Sequence, residues 1–351
     1  MSIDALFNPI DLGAIRIENR IVMAPMTRSR ADRNGQATDS MATYYEQRAS
    51  AGMIITEGVY PSAIGKGYLG TPGMYRAEHA QSWQKVTQAV HAKGSKIVMQ
   101  MMHAGRISHE SLLDGQLPVA PSAVTANGLA WTMKGQLPHP TPRELTKADI
   151  VQTIEDFVAS AKFAIEAGFD GVELHNASGY LPHQFLSSNV NLRTDEYGGS
   201  ATNRTRFSLE LLEALGAAIG IERVGIKLSP EMTFNDIRED EPQEVYRALV
   251  SRLPQKMAYL HVMRAQWSVN YHEMLKSLFK GAYLAGGGLT RDEAIQMRQN
   301  QQADGLVFGN AFIANPDLPI RLKVNAPLNE VKTNFLYTGG SQGYIDYPTM
   351  I

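Results

Sequence analysis

Eight short runs rich in β-branched residues and methionine recur along the chain, each followed by a segment of helical periodicity. They are Arg20–Ala24, Met53–Glu57, Lys96–Met101, Gly171–Leu174, Val224–Leu228, Tyr259–Met263, Ala282–Ala285 and Gly305–Phe308. Strands alternating with helices pair in parallel through right-handed crossovers. Eight such units are the number that closes a (β/α)8 barrel, so the expected fold class is α/β, a TIM barrel. The clearest helix reads from about Lys147 to Ala167, with Ile150, Ile154, Phe157, Ala161 and Ile165 on one face. Thr146, three residues before Asp149, suits a capping box, and Gly168 stands where a left-handed C-terminal residue belongs. Another helix carries Phe207, Leu211, Leu215 and Ile219 at four-residue spacing. Two segments exceed the bare repeat. Residues 7–20 read as a small hairpin that plugs the barrel bottom. Residues 104–144, rich in Pro, Gly and Ser, read as a long insertion after the third strand, of the kind that forms a functional lid. No composition shift marks a boundary, so residues 1–351 read as one domain.

Composition narrows the function. A net charge of −2 gives no pull toward nucleic acid or an anionic membrane. The complete lack of cysteine removes disulfides, thiolate metal sites, iron–sulfur clusters and thiol nucleophiles. Any redox chemistry here needs a bound cofactor to carry electrons. The N-terminus has no basic patch before an apolar run, and no stretch reaches the ~18 apolar residues of a membrane span. The expected compartment is the cytoplasm, which makes the sequons at Asn176 and Asn203 coincidental.

Barrel active sites form where strands end. Here the strand ends lead into Pro25-Met26-Thr27, Gly58, Gln100 to His103, His175, Lys227, Met263-Arg264, Gly286-Gly287-Gly288 and Gly309-Asn310. The glycines after strands seven and eight could simply make tight turns. Their placement after both strands favours a phosphate site, where backbone N–H groups approach an anion closely. His175 and Tyr180, five residues apart across a turn, could polarise a carbonyl and deliver a proton, or could simply pack. Lys227 could form a Schiff base or stand as a fixed charge beside an anionic cofactor. Other patterns fail. Gly339 to Gly343 resembles a nucleophile elbow but follows no strand, and no His comes after it. His103 and His109 lack metal-ligand spacing, so no metal is expected, and no G-x-G-x-x-G follows a strand.

Longer stretches carry a resemblance over nearly the whole chain. They include Asn19 to Arg28, Tyr44 to Gly52, His103 to His109, Pro118 to Ala123, Gln184-Phe185-Leu186 through Arg193 to Ser200, Ala314 to Leu318, and Gly343 to Thr349. The sequence resembles the old yellow enzyme family of flavin-dependent ene-reductases, on the side of the bacterial N-ethylmaleimide and xenobiotic reductases. The resemblance implies a barrel that holds FMN noncovalently and takes hydride from NADPH or NADH. Hydride then passes from flavin N5 to an activated alkene such as an α,β-unsaturated carbonyl, a maleimide or a nitro compound. The chain would work as a monomer or homodimer on a small molecule. Carried over by position, Pro25, Met26 and Thr27 line the flavin, Gly58 and Gln100 bind its pyrimidine edge, and Lys227 lies near N1 and O2. Gly287, Gly288, Gly309 and Asn310 hold the phosphate. His175 grips the substrate oxygen, Tyr180 gives the proton, and Met102, His103 and Tyr337 line the substrate pocket.

Four positions depart from the family pattern. Ser178 replaces the His or Asn that gives a second donor to the substrate oxygen, and losing one such donor can cost ~10²–10³ in rate. Met102 replaces Trp, Lys227 replaces Arg with loss of its planar fork, and Asn310 replaces a phosphate-binding Arg. They leave open a second reading, an FMN-binding barrel with vestigial or altered activity. A third is a Schiff-base lyase using Lys227.

Overall fold

The computed structural model describes residues 3–350. Eight strands form the barrel: β1 (Ile21–Met23), β2 (Met53–Ile55), β3 (Lys96–Met101), β4 (Gly171–Asn176), β5 (Val224–Leu228), β6 (Tyr259–Met263), β7 (Tyr283–Gly286) and β8 (Gly305–Phe308). They close in chain order, and every neighbouring pair is parallel. The expected α/β barrel is the observed fold, with strand ends displaced by one or two residues. β4 runs two residues further than expected, through His175 and Asn176. It does so because β5 runs on beside it, with His175 paired to Lys227 and Asn176 to Leu228.

The period-two alternation of a strand decides what faces the barrel axis. Val22, Met53, Ile55, Val98, Tyr259, Leu284 and Val307 form the inner core, while Ile21, Ile54, Ile97, Leu174, Ile226, Leu260 and Leu306 pack outward against the helices. Residues Ile10–Leu12 and Ile15–Ile17 make the expected antiparallel hairpin. Its Leu12, Ile15 and Ile17 join the inner core, so the hairpin does plug the barrel. Gly13 turns the hairpin at φ +58°, with its Cβ position only 2.4 Å from the Glu222 carbonyl oxygen, so a larger residue would collide there.

Thr146 and Asp149 cap the Lys147–Glu166 helix reciprocally, and Gly168 follows at φ +90°. The Arg206–Ile219 helix buries Phe207, Leu211 and Leu215, with Ile219 at the margin. The insertion after β3 holds a parallel pair (Val119–Ala120 with Arg143–Glu144) and a hairpin (Leu129–Thr132 with Gly135–Pro138). It flanks the barrel mouth through Ile107 and Ala126, which pack with Met102 and Tyr180, instead of closing over it.

The C-terminal segment crosses the barrel mouth and is held there by arginines from the loop after β1 and the helix that follows. Arg30 donates to the carbonyls of Phe335 and Leu336 at 2.8 Å each, and also to those of Thr338, Gly340 and Gln342. Arg28 donates to Leu336 O at 3.1 Å and Gly343 O at 2.7 Å. Arg48 lies 3.7 Å from the centroid of the Tyr44 ring, which stacks on Tyr344 at 4.1 Å. Charged donors to buried carbonyls are worth ~1.5–3 kcal/mol each, less when one guanidinium serves several. Arg30→Ala is therefore expected to cost about 3 kcal/mol. The check is a lower thermal midpoint together with new protease cleavage between residues 331 and 347, partly reversed by Arg30→Lys.

Candidate functional site

At the C-terminal ends of the strands lies a cavity of about 730 Å³. Its lining includes Pro25, Thr27, Gln100, Met102, His175, Ser178, Tyr180, Lys227 and Tyr337, residues separated by up to 312 positions in sequence (337 − 25). Strand parity explains the convergence. Gln100, Glu173, His175, Lys227 and His261 all sit at inward positions of β3 to β6, and each is at most 5 % exposed.

Glu173 organises the floor. Gln100 Nε2 donates to its Oε1 at 2.8 Å, and His261 Nδ1 lies 2.9 Å from its Oε2. This commits the Gln100 amide nitrogen to the carboxylate and leaves its oxygen as the acceptor toward a ligand. Burial lowers the pKa of Lys227, while nearby Glu173 pulls it back up. Lys227 makes no ion pair or hydrogen bond among the described residues. Burial also pushes His175 well below the usual imidazole range, assisted by Lys227, so the ring is neutral. Its buried Nδ1 has no protein partner.

Tyr180 stands beside His175, ring centroids 4.9 Å apart, and its hydroxyl is 3.0 Å from that of Tyr68. Burial raises the Tyr180 pKa, which keeps the hydroxyl protonated. Ser178 adopts φ +56° and Gly179 φ +79°. This sharp turn is fixed by the Ser178 N–H donating to Ser229 Oγ at 2.9 Å and by Asn235 Nδ2 donating to Ser178 O at 2.8 Å. The Ser178 hydroxyl is 3.5 Å from Met232 Sδ. The outer wall comes from the loops after β5 and β6. Glu231 accepts from Ser268 and from the Tyr271 hydroxyl, and Trp267 Nε1 donates to Pro230 O.

Other expected site residues lie apart from this cavity. Gly58 is buried behind Met102, whose Sδ is 2.5 Å from where a Cβ would stand. Met26 packs with Ile313, Leu336 and Tyr347 under the C-terminal segment, its Sδ 3.7 Å from where a Cβ at Gly309 would stand. Gly287 and Gly288 have φ of +106° and +74°, and with Gly309 and Asn310 they form a separate shelf at the ends of β7 and β8. His103 corrects an expectation. One step beyond Met102, parity turns it outward, where its ring stacks over Phe157 at 6.4 Å in the barrel wall, fully buried and away from the cavity. Burial lowers its pKa to about 3, so it is a neutral packing residue.

Glu173, His261, Tyr68 and Glu231 escaped the sequence reading. The first two had a signal, a polar residue at inward parity within an apolar strand. Tyr68 and Glu231 lie in loops whose course no local pattern reveals. Among the described residues no group of three or more His, Asp or Glu could hold a metal, and no helix is long and apolar enough to cross a membrane.

Comparison with known proteins agrees with this geometry. The model of the NADH:flavin oxidoreductase / NADH oxidase family matches residues 5–329. A probable flavin mononucleotide-dependent alkene reductase of Leishmania infantum is 42% identical, covering 99% of this chain and 98% of its own. A putative 12-oxophytodienoate reductase 5 of Oryza sativa subsp. japonica is 38% identical over 96% of this chain and 92% of its own. Morphinone reductase in complex with tetrahydroNAD superposes with a TM-score of 0.95 at 40% identity, covering 99% and 98% of the two chains. The old yellow enzyme homologue from Zymomonas mobilis gives 0.94 at 37%, over 98% and 99%. The chain belongs to the NADH:flavin oxidoreductase / NADH oxidase family, the old yellow enzymes.

Proposed function

We propose that this protein reduces activated alkenes, with residues 1–351 working as one FMN-binding unit. Family membership makes it an oxidoreductase that works with a flavin and a nicotinamide. The residues present fit FMN. Left-handed Gly287 offers an N–H where a Cβ would come within 2.6 Å of Arg264, and the Cβ direction at Gly288 is open. Thr27, the Gln100 amide oxygen and Lys227 would hold the ring, with the backbone of Pro25, Met26 and Gly58 beside it. Gly287, Gly288, Gly309 and Asn310 would take the phosphate. Bound FMN supplies hydride that it has accepted from NADH or NADPH.

The observation that carries the reading is the buried, neutral His175 with an unpartnered Nδ1, set beside a protonated Tyr180 at one cavity wall. A neutral imidazole donates one hydrogen bond to a carbonyl or nitro oxygen without placing a full charge there. Ser178 adds a shorter hydroxyl donor. The Tyr180 hydroxyl delivers a proton to the substrate carbon, and Tyr68 holds that hydroxyl in place. Met102, Met232, Phe234 and Tyr337 add apolar surface to the same cavity, Met102 packing with Tyr180 and Met232 lying against Ser178, which suits a neutral substrate. Burial acts against the charge on Lys227, but Glu173 in the same parity-set polar layer acts to keep it, which suits a fixed charge under an anionic cofactor.

The purified protein should be yellow, bleach under anaerobic NADPH or NADH, and recover colour on addition of cyclohexenone. Bleached flavin that no enone or maleimide reoxidises would refute the reading. Tyr180→Phe should slow enone reduction by about 10²-fold or more while leaving the nicotinamide-driven bleaching intact. Ser178→Asn keeps a residue tolerated at positive φ and restores an amide donor. Stopped-flow reoxidation of the reduced variant by enone should run about tenfold faster than wild type.

A further inference from the structure

The shelf that would take the phosphate dianion shows little positive charge. Asn310 is exposed and neutral, and Gly287, Gly288 and Gly309 bring only backbone N–H groups. Most nearby arginines are committed elsewhere. Arg28 and Arg30 hold the C-terminal segment. Arg291 turns its guanidinium onto the Leu322 carbonyl and Asp292. Lys227 lies inside the barrel.

Arg264 is different. It follows β6 and is built against the shelf, its N–H donating to Gly286 O at 2.9 Å. Its backbone N and O both lie 2.6 Å from where a Cβ at Gly287 would stand. Its guanidinium rests on Glu293 Oε1, 3.3 Å from both terminal nitrogens, with each side chain 39% exposed. Glu293 is already engaged in capping its own helix, its Oε2 accepting from the Thr290 N–H at 2.8 Å and hydroxyl at 2.9 Å. An exposed pair at such distances is worth ~0–1 kcal/mol, so little holds the guanidinium there. Thr290 lies two residues beyond Gly288, which puts the guanidinium one side-chain swing from the open space above Gly288.

The geometry points to Arg264 as the cation that binds the cofactor's phosphate in this protein: its guanidinium departs from Glu293 and pairs bidentately with the phosphate. This rests on the FMN reading above. A planar guanidinium facing a phosphate forms the strong, paired type of charge-assisted hydrogen bond, and the Gly287 and Gly288 amides complete the cradle. Glu293 remains as the cap of its helix, so the exchange does not unravel the Arg291–Gln299 segment.

The test separates the phosphate from the rest of the flavin. Full-length holoenzyme is diluted serially, and the Kd is read from the fluorescence of released flavin. The measurement is repeated after exchange of FMN for riboflavin, which has the same ring and ribityl chain without the phosphate. Arg264→Ala is expected to weaken FMN binding by about 10- to 100-fold and leave the riboflavin Kd unchanged. Arg264→Lys should recover part of the loss, and Arg264→Ala combined with Asn310→Arg should recover most of it. An unchanged FMN Kd, or an equal loss for FMN and riboflavin, overturns the assignment. So does a rise confined to the KM for NADPH, which would place the guanidinium on the nicotinamide's phosphates. Wild-type protein that binds neither flavin would instead refute the FMN reading itself.

Discussion

The carboxylate of Glu173 is fully buried in the polar layer that overlies the apolar inner core of the barrel, and the floor of the site is built on it. It accepts from Gln100 and lies against His261, and its charge acts on Lys227. A buried carboxylate is tolerable only with this degree of hydrogen bonding. Once satisfied, it fixes which way Gln100 presents its amide and where positive charge can sit. Replacing one member would leave the others desolvated and unpaired, which is why four strands must contribute together. The network can form only because closure brings the inward positions of β3 to β6 to one height.

Below this layer the barrel is filled by apolar side chains of the strands and of the N-terminal hairpin. Above it the chain has no further inward rows, so the loops decide the shape of the cavity. The loops after β5 and β6 are tied by Glu231 to Ser268 and Tyr271, and by Trp267 to Pro230. Tyr337 comes from the other side on a segment that owes its course to Arg28 and Arg30. The wall of the cavity is thus held by long-range polar contacts, and its floor by strand register.

That division explains what the sequence made legible. Eight apolar runs, the capping box at Thr146 and the plugging hairpin all rest on local periodicity or local hydrogen bonds, and each is present. Strand ends were less exact because pairing, not composition, sets them, as at β4, where β5 carries the ladder on to Asn176. Reading which residues follow a strand led to the lining of the cavity at the strand ends, but following does not mean facing. Met102 and His103 are neighbours, and only parity separates the one in the cavity from the one stacked on Phe157. The same rule applied to the strands would have singled out Glu173 and His261. No rule of this kind reaches Tyr68 or Arg30, whose partners are more than a hundred residues away in sequence.

Charge within the cavity follows from these placements. His175 is neutral because burial and Lys227 both oppose its protonation, and Tyr180 is protonated because burial opposes its ionisation. The one acidic side chain in the lining, Glu231, is occupied by hydroxyl and amide donors from the adjoining loop. A ligand therefore meets the neutral donors of His175, Ser178 and Tyr180 set among methionine and aromatic surface, with Lys227 as the cation of the lining. An electron-poor neutral molecule with one strong acceptor oxygen satisfies that pattern. An anionic substrate would compete for Lys227, and a cationic one would find no free carboxylate. In the proposed reaction the left-handed turn at Ser178 would set how many donors reach the oxygen, because its φ admits Ser or Asn readily while β-branched residues are strained there. Tuning at this position is open to the chain without disturbing the floor.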